Sequence, residues 1–200
     1  MQALVSATIH VQVAESQFLV SAINEPYLAV GPTANGLVRS VGGAAMVATG
    51  IYSGEVTVEC EAYEADPGPV TTDGGRRWTE IAEVPLQVPS DDVRVLPLFG
   101  TVHWQRGVNL AASGPGLYQL RVCAYGRDSH PDAIGLHNED ERYLVQLWPT
   151  TDARSQLVAA ADSVGENLRR SHQDSDEHPI SGFRVESPPQ KLPATVWTSE

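Results

Sequence analysis

The sequence predicts a mainly β chain, an antiparallel β-sandwich or jelly roll of about eight strands followed by one C-terminal helix and a flexible tail. Three observations carry this expectation. Apolar and polar residues alternate at period two up to about residue 150, as half-buried strands require. Turn-forming dipeptides cut that pattern into short runs. Beyond Pro149 the apolar spacing becomes helical and then disappears.

Taken in order, Thr8–Val13 sets Ile9, Val11 and Val13 against Thr8, His10 and Gln12. Phe18–Ile23 and Ala44–Ile51 follow, separated by Asn35-Gly36 and Gly42-Gly43. Gly54–Tyr63 is the clearest strand: Val56, Val58, Cys60 and Ala62 alternate with Glu55, Thr57, Glu59 and Glu61. Acids along one phase mean that this face is wet. Trp78–Val88, Val93–Leu98, Leu117–Tyr125 and Arg142–Trp148 complete the set, with Asp66-Pro67-Gly68-Pro69, Gly114-Pro115-Gly116 and Gly126-Arg127-Asp128 among the breakers. Many short strands with frequent turns point to a sandwich over 1–150. Thr151 or Asp152 is the expected N-cap of a helix over 151–170, with Leu157, Val158, Ala161, Val164 and Leu168 on its apolar stripe. The remainder, 171–200, opens on the polar linker Ser171–Pro179. It then carries Phe183, Val185, Leu192, Val196 and Trp197 among prolines, as either a docking tail or a short binding peptide.

The 200 residues hold 25 acids against 13 bases, a formal net charge of −12. Residues 55–92 alone carry ten acids and two bases, which places two-thirds of the net charge in one stretch. Such a chain does not seek nucleic acid or an anionic membrane, because phosphate binding needs clustered Lys and Arg. Lys191 is the one lysine; the other bases are arginines, suited to fixed pairing. The start lacks the basic and apolar pattern of a signal peptide and no stretch is long enough for a membrane helix, so a cytoplasmic setting with reduced thiols is expected. Cys60 lies on the apolar phase of its strand and Cys123 on the phase of Gln119 and Arg121, which predicts two free thiols rather than a disulfide.

Candidate chemistry is sparse. Arg127-Asp128-Ser129-His130-Pro131-Asp132, with His137, Glu139, Asp140 and Glu141, offers two His and five acids, but at neither zinc nor calcium-loop spacing. A solvated acidic loop is the expectation, a metal site the alternative, and no metal or cofactor is assigned. No nucleophile motif or phosphate loop occurs, so no catalytic residue is assigned. The acidic strand differs. Glu55, Glu59 and Glu61 project on one side, with Glu64 and Asp66 just beyond. Like charges along a strand repel unless something offsets them. Either Arg76, Arg77 or Arg121 on a neighbouring strand does so, or the strip is an exposed patch that attracts a basic partner.

The block Gly114-Pro-Gly-Leu-Tyr-Gln-Leu-Arg-Val-Cys-Ala-Tyr-Gly-Arg-Asp128, then Glu141-Arg-Tyr-Leu-Val-Gln-Leu-Trp-Pro149, resembles uncharacterised actinobacterial β-sandwich proteins. It also resembles the competence protein J type of nuclease inhibitor, in which a G-x-Y-x-L strand precedes a final strand. The matching positions, Tyr118, Leu120, Val122, Tyr143, Val145 and Leu147, are of core type. The resemblance implies an inhibitory or immunity role without an active site.

The expected function is therefore a non-catalytic, acidic protein-binding module of inhibitor or immunity type. It engages a basic protein such as a nuclease or toxin through Glu55, Glu59, Glu61, Glu64 and Asp66. The alternative is a ligand-binding or assembly module with a pocket lined by Trp78, Trp104 and Trp148; an enzyme with an unfamiliar motif is a third reading.

Overall fold

Alternation on Gly54–Ala62 (β5) is read out as burial: Val56, Val58, Cys60 and Ala62 are fully covered, while Glu55, Thr57, Glu59 and Glu61 are half-exposed. The computed structural model describes residues 1–23, 33–70, 77–99, 108–111 and 113–177. Around β5 runs a six-stranded sheet in the order β1, β5, β9, β8, β6, β10. Its other strands are Val5–Val13 (β1), Glu80–Val88 (β6), Gly116–Tyr125 (β8), Leu136–Pro149 (β9) and Gln156–Ala160 (β10). A four-stranded sheet has the order β3, β4, β2, β7, with Gln17–Ser21 (β2), Val38–Val41 (β3), Ala44–Ala48 (β4) and Arg94–Pro97 (β7).

The two sheets share one apolar cluster. Val56 and Val58, Leu120 and Val122, and Val145 and Leu147 come from the larger sheet and meet Phe18, Val20 and Val47 of the smaller. Phe18 stands edge-on to Tyr143, ring centroids 5.1 Å apart, as aromatic quadrupoles favour. Cys60 belongs to this cluster, whereas Cys123 packs on the opposite face with Trp78 and Leu144; both thiols are free, as strand parity predicts.

The eight predicted strands form, with two additions and one change of direction. Val38–Val41 is a strand too short to show alternation. β5 and β9 run parallel, so the larger sheet is mixed rather than antiparallel throughout. Pairing direction leaves no trace in alternation, which is why the sequence suggests otherwise. The predicted 151–170 helix is replaced by two elements: β10 pairs with the edge of β6, and the helix Ser163–Glu177 (α1) begins only after Asp162. Asp162 is its N-cap, its side chain accepting the Gly165 N–H at 2.7 Å. The predicted linker therefore starts as helix up to Glu177, and the predicted tail beyond it, with Phe183 and Trp197, lies outside the described residues, as do Arg76 and Trp104. No helix among the described residues is long and apolar enough to cross a membrane.

Candidate functional site

The outer face of the six-stranded sheet gathers the chemistry. Along β5 it presents Glu55, Glu59 and Glu61, while Glu64 and Asp66 follow on the exposed turn. Neighbouring strands set what each meets. Gln12 of β1 and His137 of β9 lie opposite Glu55, and Ser6 and Gln146 lie opposite Glu61.

These neighbours offset the crowding of like charge mostly without cancelling it. Glu61 accepts the Tyr63 hydroxyl at 2.6 Å and the Gln146 amide at 2.8 Å. Glu55 accepts the Gln12 amide at 2.9 Å and lies 2.7 Å from His137 Nδ1. The donors are thus amide, phenol and imidazole rather than guanidinium. Arg121, one of the three arginines considered, is committed elsewhere: its Nε donates to Glu83 at 2.6 Å, and its Nη1 donates to the Gly68 carbonyl and to Gln146 Oε1. Of the strip it lies 3.8 Å from Asp66, while its guanidinium lies 4.8 Å from the Trp148 ring centroid. Arg77 is exposed. Gln119, Arg121 and Cys123, which alternation assigns to a wet face, are buried, because this face is itself covered: Trp78 and Val70 pack on Cys123, and Gly68 lies on Arg121.

The field of these acids is felt nearby. Burial, then the charges of Glu59 and Glu61, pushes the Cys60 thiol up to about 12. Burial, then the hydrogen bond to Glu61, likewise pushes Tyr63 up to about 12.

A pocket of about 420 Å³ opens where the strip meets the covering segment. Glu59, Glu61 and Gln146 form its polar side, and Tyr63, Trp78 and Leu144 its apolar side. The buried Trp78 indole N–H has no hydrogen-bond partner among the described residues. Of the three tryptophans expected to line a pocket, Trp78 does so, whereas Trp148 is buried against Arg121.

The 127–141 segment does not converge on one site. Asp128 accepts the Ser163 and Val164 N–H groups at the start of α1. Partial burial works against its ionisation, but those hydrogen bonds outweigh it and hold the carboxyl below its usual range. Glu141 turns inward, taking the Gly50 and Ile51 N–H groups, the Asn138 amide and the Tyr143 hydroxyl. Arg127 is fully buried, pairing through both Nε and Nη2 with Asp162 at 2.8 and 2.7 Å and donating to the Gly36 carbonyl. Glu80, also fully buried, meets Arg169 of α1 and the Ala161 N–H. This ionic cluster is largely buried and holds α1 on the sheets. His130, Asp132, Glu139 and Asp140 stay exposed.

One grouping was not anticipated. His10, Glu55 and His137 stand on three adjacent strands with their ligand atoms within 4.8 Å of one another. The available signal was His10 in the polar phase of its strand, but nothing in the sequence pairs it with a residue more than a hundred positions away.

No protein-family model matches the sequence, and no curated protein matches it. Among solved structures, the chain is similar to ComJ, inhibitor of the DNA degrading activity of NucA, from Bacillus subtilis. That match has 11% identity and a TM-score of 0.52 over 72% of this chain and 96% of that one. A crocagin biosynthetic gene J product matches at 13% identity and a TM-score of 0.44, over 72% of this chain and 97% of that one. The likeness to ComJ is one of fold. It agrees with the resemblance carried by residues 114–128 and 141–149, which lie on and beside β8 and β9 at the centre of the larger sheet.

Proposed function

We propose that the protein is a non-catalytic binding protein of inhibitor type, which engages a basic protein through the outer face of its six-stranded sheet. Glu55, Glu59, Glu61, Glu64 and Asp66 form the contact surface. The observation that carries this reading is the way the strip is stabilised: Glu61 is held by the neutral amide of Gln146 and the phenol of Tyr63, so these contacts leave its negative charge to be met by a partner. The pocket beside Glu59 and Glu61 suits an arginine or lysine side chain, whose stem would lie on Tyr63 and Leu144 and whose head would meet the carboxylates. Its fold likeness to ComJ, a protein described as an inhibitor of a DNA-degrading activity, supports a nuclease as the class of partner.

The test is a DNA-degradation assay with a basic nuclease from the same organism, titrated with this protein. Inhibition that weakens with salt, and that the double substitution Glu59→Lys/Glu64→Lys relieves, is the expected result. Unchanged nuclease activity at a large excess of the protein would count against the reading.

The Trp78 N–H, without a partner among the described residues, favours a second reading, a small-molecule pocket at the same place. An indole N–H buried without a partner is costly, and a ligand acceptor would satisfy it. Binding of a small ligand that quenches Trp78 fluorescence, with no effect on any nuclease, would favour this second reading.

A further inference from the structure

We propose that His10, Glu55 and His137 bind one divalent transition-metal ion of the zinc class. This goes beyond the protein-binding reading; the two share Glu55, but the metal site is argued from its own geometry.

The three side chains come from β1, β5 and β9, three consecutive strands of one sheet, so hydrogen-bonded backbone fixes their spacing. Glu55 pairs directly with His137, and His10 is diagonal to it, opposite Thr57. Glu55 Oε1 faces both imidazoles, 2.7 Å from Nδ1 of His137 and 3.8 Å from Nδ1 of His10. The rings are 5.7 Å apart between centroids and tilted at 46°, so they converge without stacking.

Tetrahedral zinc with bonds of about 2.0 Å sets its ligand atoms about 3.3 Å apart. The His137–Glu55 separation must open and the His10–Glu55 separation must close, each by about half an ångström, to reach that value. Exposed histidines on a sheet surface make such moves by small side-chain rotations. Both are more than half exposed, at 56% and 53% of the side chain, so an ion can enter directly from water.

The surroundings match what orients metal ligands. Gln12 holds the other carboxylate oxygen of Glu55 at 2.9 Å, leaving Oε1 aimed at the imidazoles. His137 presents its second nitrogen, Nε2, to the Glu139 carboxylate at 3.9 Å, an outer carboxylate of the kind that steadies a ligating imidazole. Two nitrogens and one carboxylate select zinc, cobalt, nickel or copper over calcium and magnesium, which prefer oxygen. Three protein ligands leave a coordination position for water or for a group of another molecule. Because the ligands bridge the edge strand β1 to β9, a bound ion would tie that edge down.

The test uses the intact protein alone with Zn²⁺, followed by calorimetry, and with Co²⁺, followed by visible absorption. One ion per chain is expected, with d–d bands for Co²⁺ at tetrahedral intensity and a melting temperature that rises with Zn²⁺. His10→Ala, His137→Ala and Glu55→Gln should each weaken binding by at least about tenfold and abolish the bands. His130→Ala, an exposed histidine elsewhere on the surface, should leave both unchanged. Full-strength binding in the His10 and His137 variants, or no stoichiometric binding at all, would overturn the proposal. No partner is present in the experiment, so its failure leaves the protein-binding reading standing.

Discussion

Arg127 is a charged side chain sealed inside the protein. It is fully buried, yet it meets Asp162 twice and two backbone carbonyls besides. A buried charge is tolerable only with that many partners. Replacing it by methionine leaves Asp162 buried without its cation and removes a charge beside Glu80, a loss of about 3–5 kcal/mol. For a chain of this size that lowers the melting temperature by roughly 6–20 °C. Lysine would rescue the charge but not the fork-shaped pairing, so Arg127→Lys should fall between the two in thermal unfolding. The thiols make a different prediction. Burial is the largest cause in pushing both Cys60 and Cys123 from about 9 to about 12. A folded pKa raised above the unfolded one contributes stability that is complete below pH 9 and drains away as pH rises towards 12. Urea midpoints should therefore hold up to about pH 9 and fall beyond it. A Cys60→Ala/Cys123→Ala variant should show a shallower fall, with Tyr63 adding its own decline above about pH 10. A disulfide reagent at pH 8 should find both thiols sluggish in the native protein and count two in denaturant.

At the scale of the elements, most strands were legible because one face of each meets the core and the other does not. β10 was not, because nearly all of it is exposed and a register shift between Leu157 and Ala159 breaks its parity. Leu157, Val158 and Ala161 then fit a helical stripe by default. β3 is four residues between two turns and is too short to carry a period. The outer face of β8 misled for another reason: its polar residues are buried by a covering segment whose contact no local pattern announces. That Glu55, Glu59 and Glu61 share one face of β5 was legible, whereas the His10–Glu55–His137 grouping required the strand order. The start of α1 illustrates the same limit, since Asp128, whose carboxylate supplements the Asp162 cap by accepting the Ser163 and Val164 N–H groups, lies 35 residues from Ser163. Asp128→Ala should destabilise the protein by about 1–2 kcal/mol in chemical denaturation, as other lost helix caps do. Because its folded pKa is depressed, its contribution is present above about pH 4 and is lost as pH falls through the folded value.

For the whole molecule, the net charge of −12 is less informative than the gathering of Glu55, Glu59, Glu61, Glu64 and Asp66 on and beside one sheet face next to a pocket. Charge on that face should govern how fast a basic partner arrives, over a screening length of about 8 Å at physiological salt. Glu59→Lys/Glu64→Lys should therefore slow association in surface-binding kinetics, while Asp132→Lys/Glu139→Lys, on the exposed turn before β9 and at the start of β9, should change it far less. The parallel pairing of β5 with β9 has a consequence in time. Glu61 and Gln146 meet across 85 residues of chain, and β6 and β8 must be placed between those two events. During synthesis, β1 and β5 emerge early and hold an unpaired edge until β9 has been made. Such long-range closure is slow, on the order of milliseconds to seconds for sheet proteins. A nascent chain halted before residue 136 lacks the strand that joins its two halves, so it should stay open to proteases until the ribosome has moved past β9.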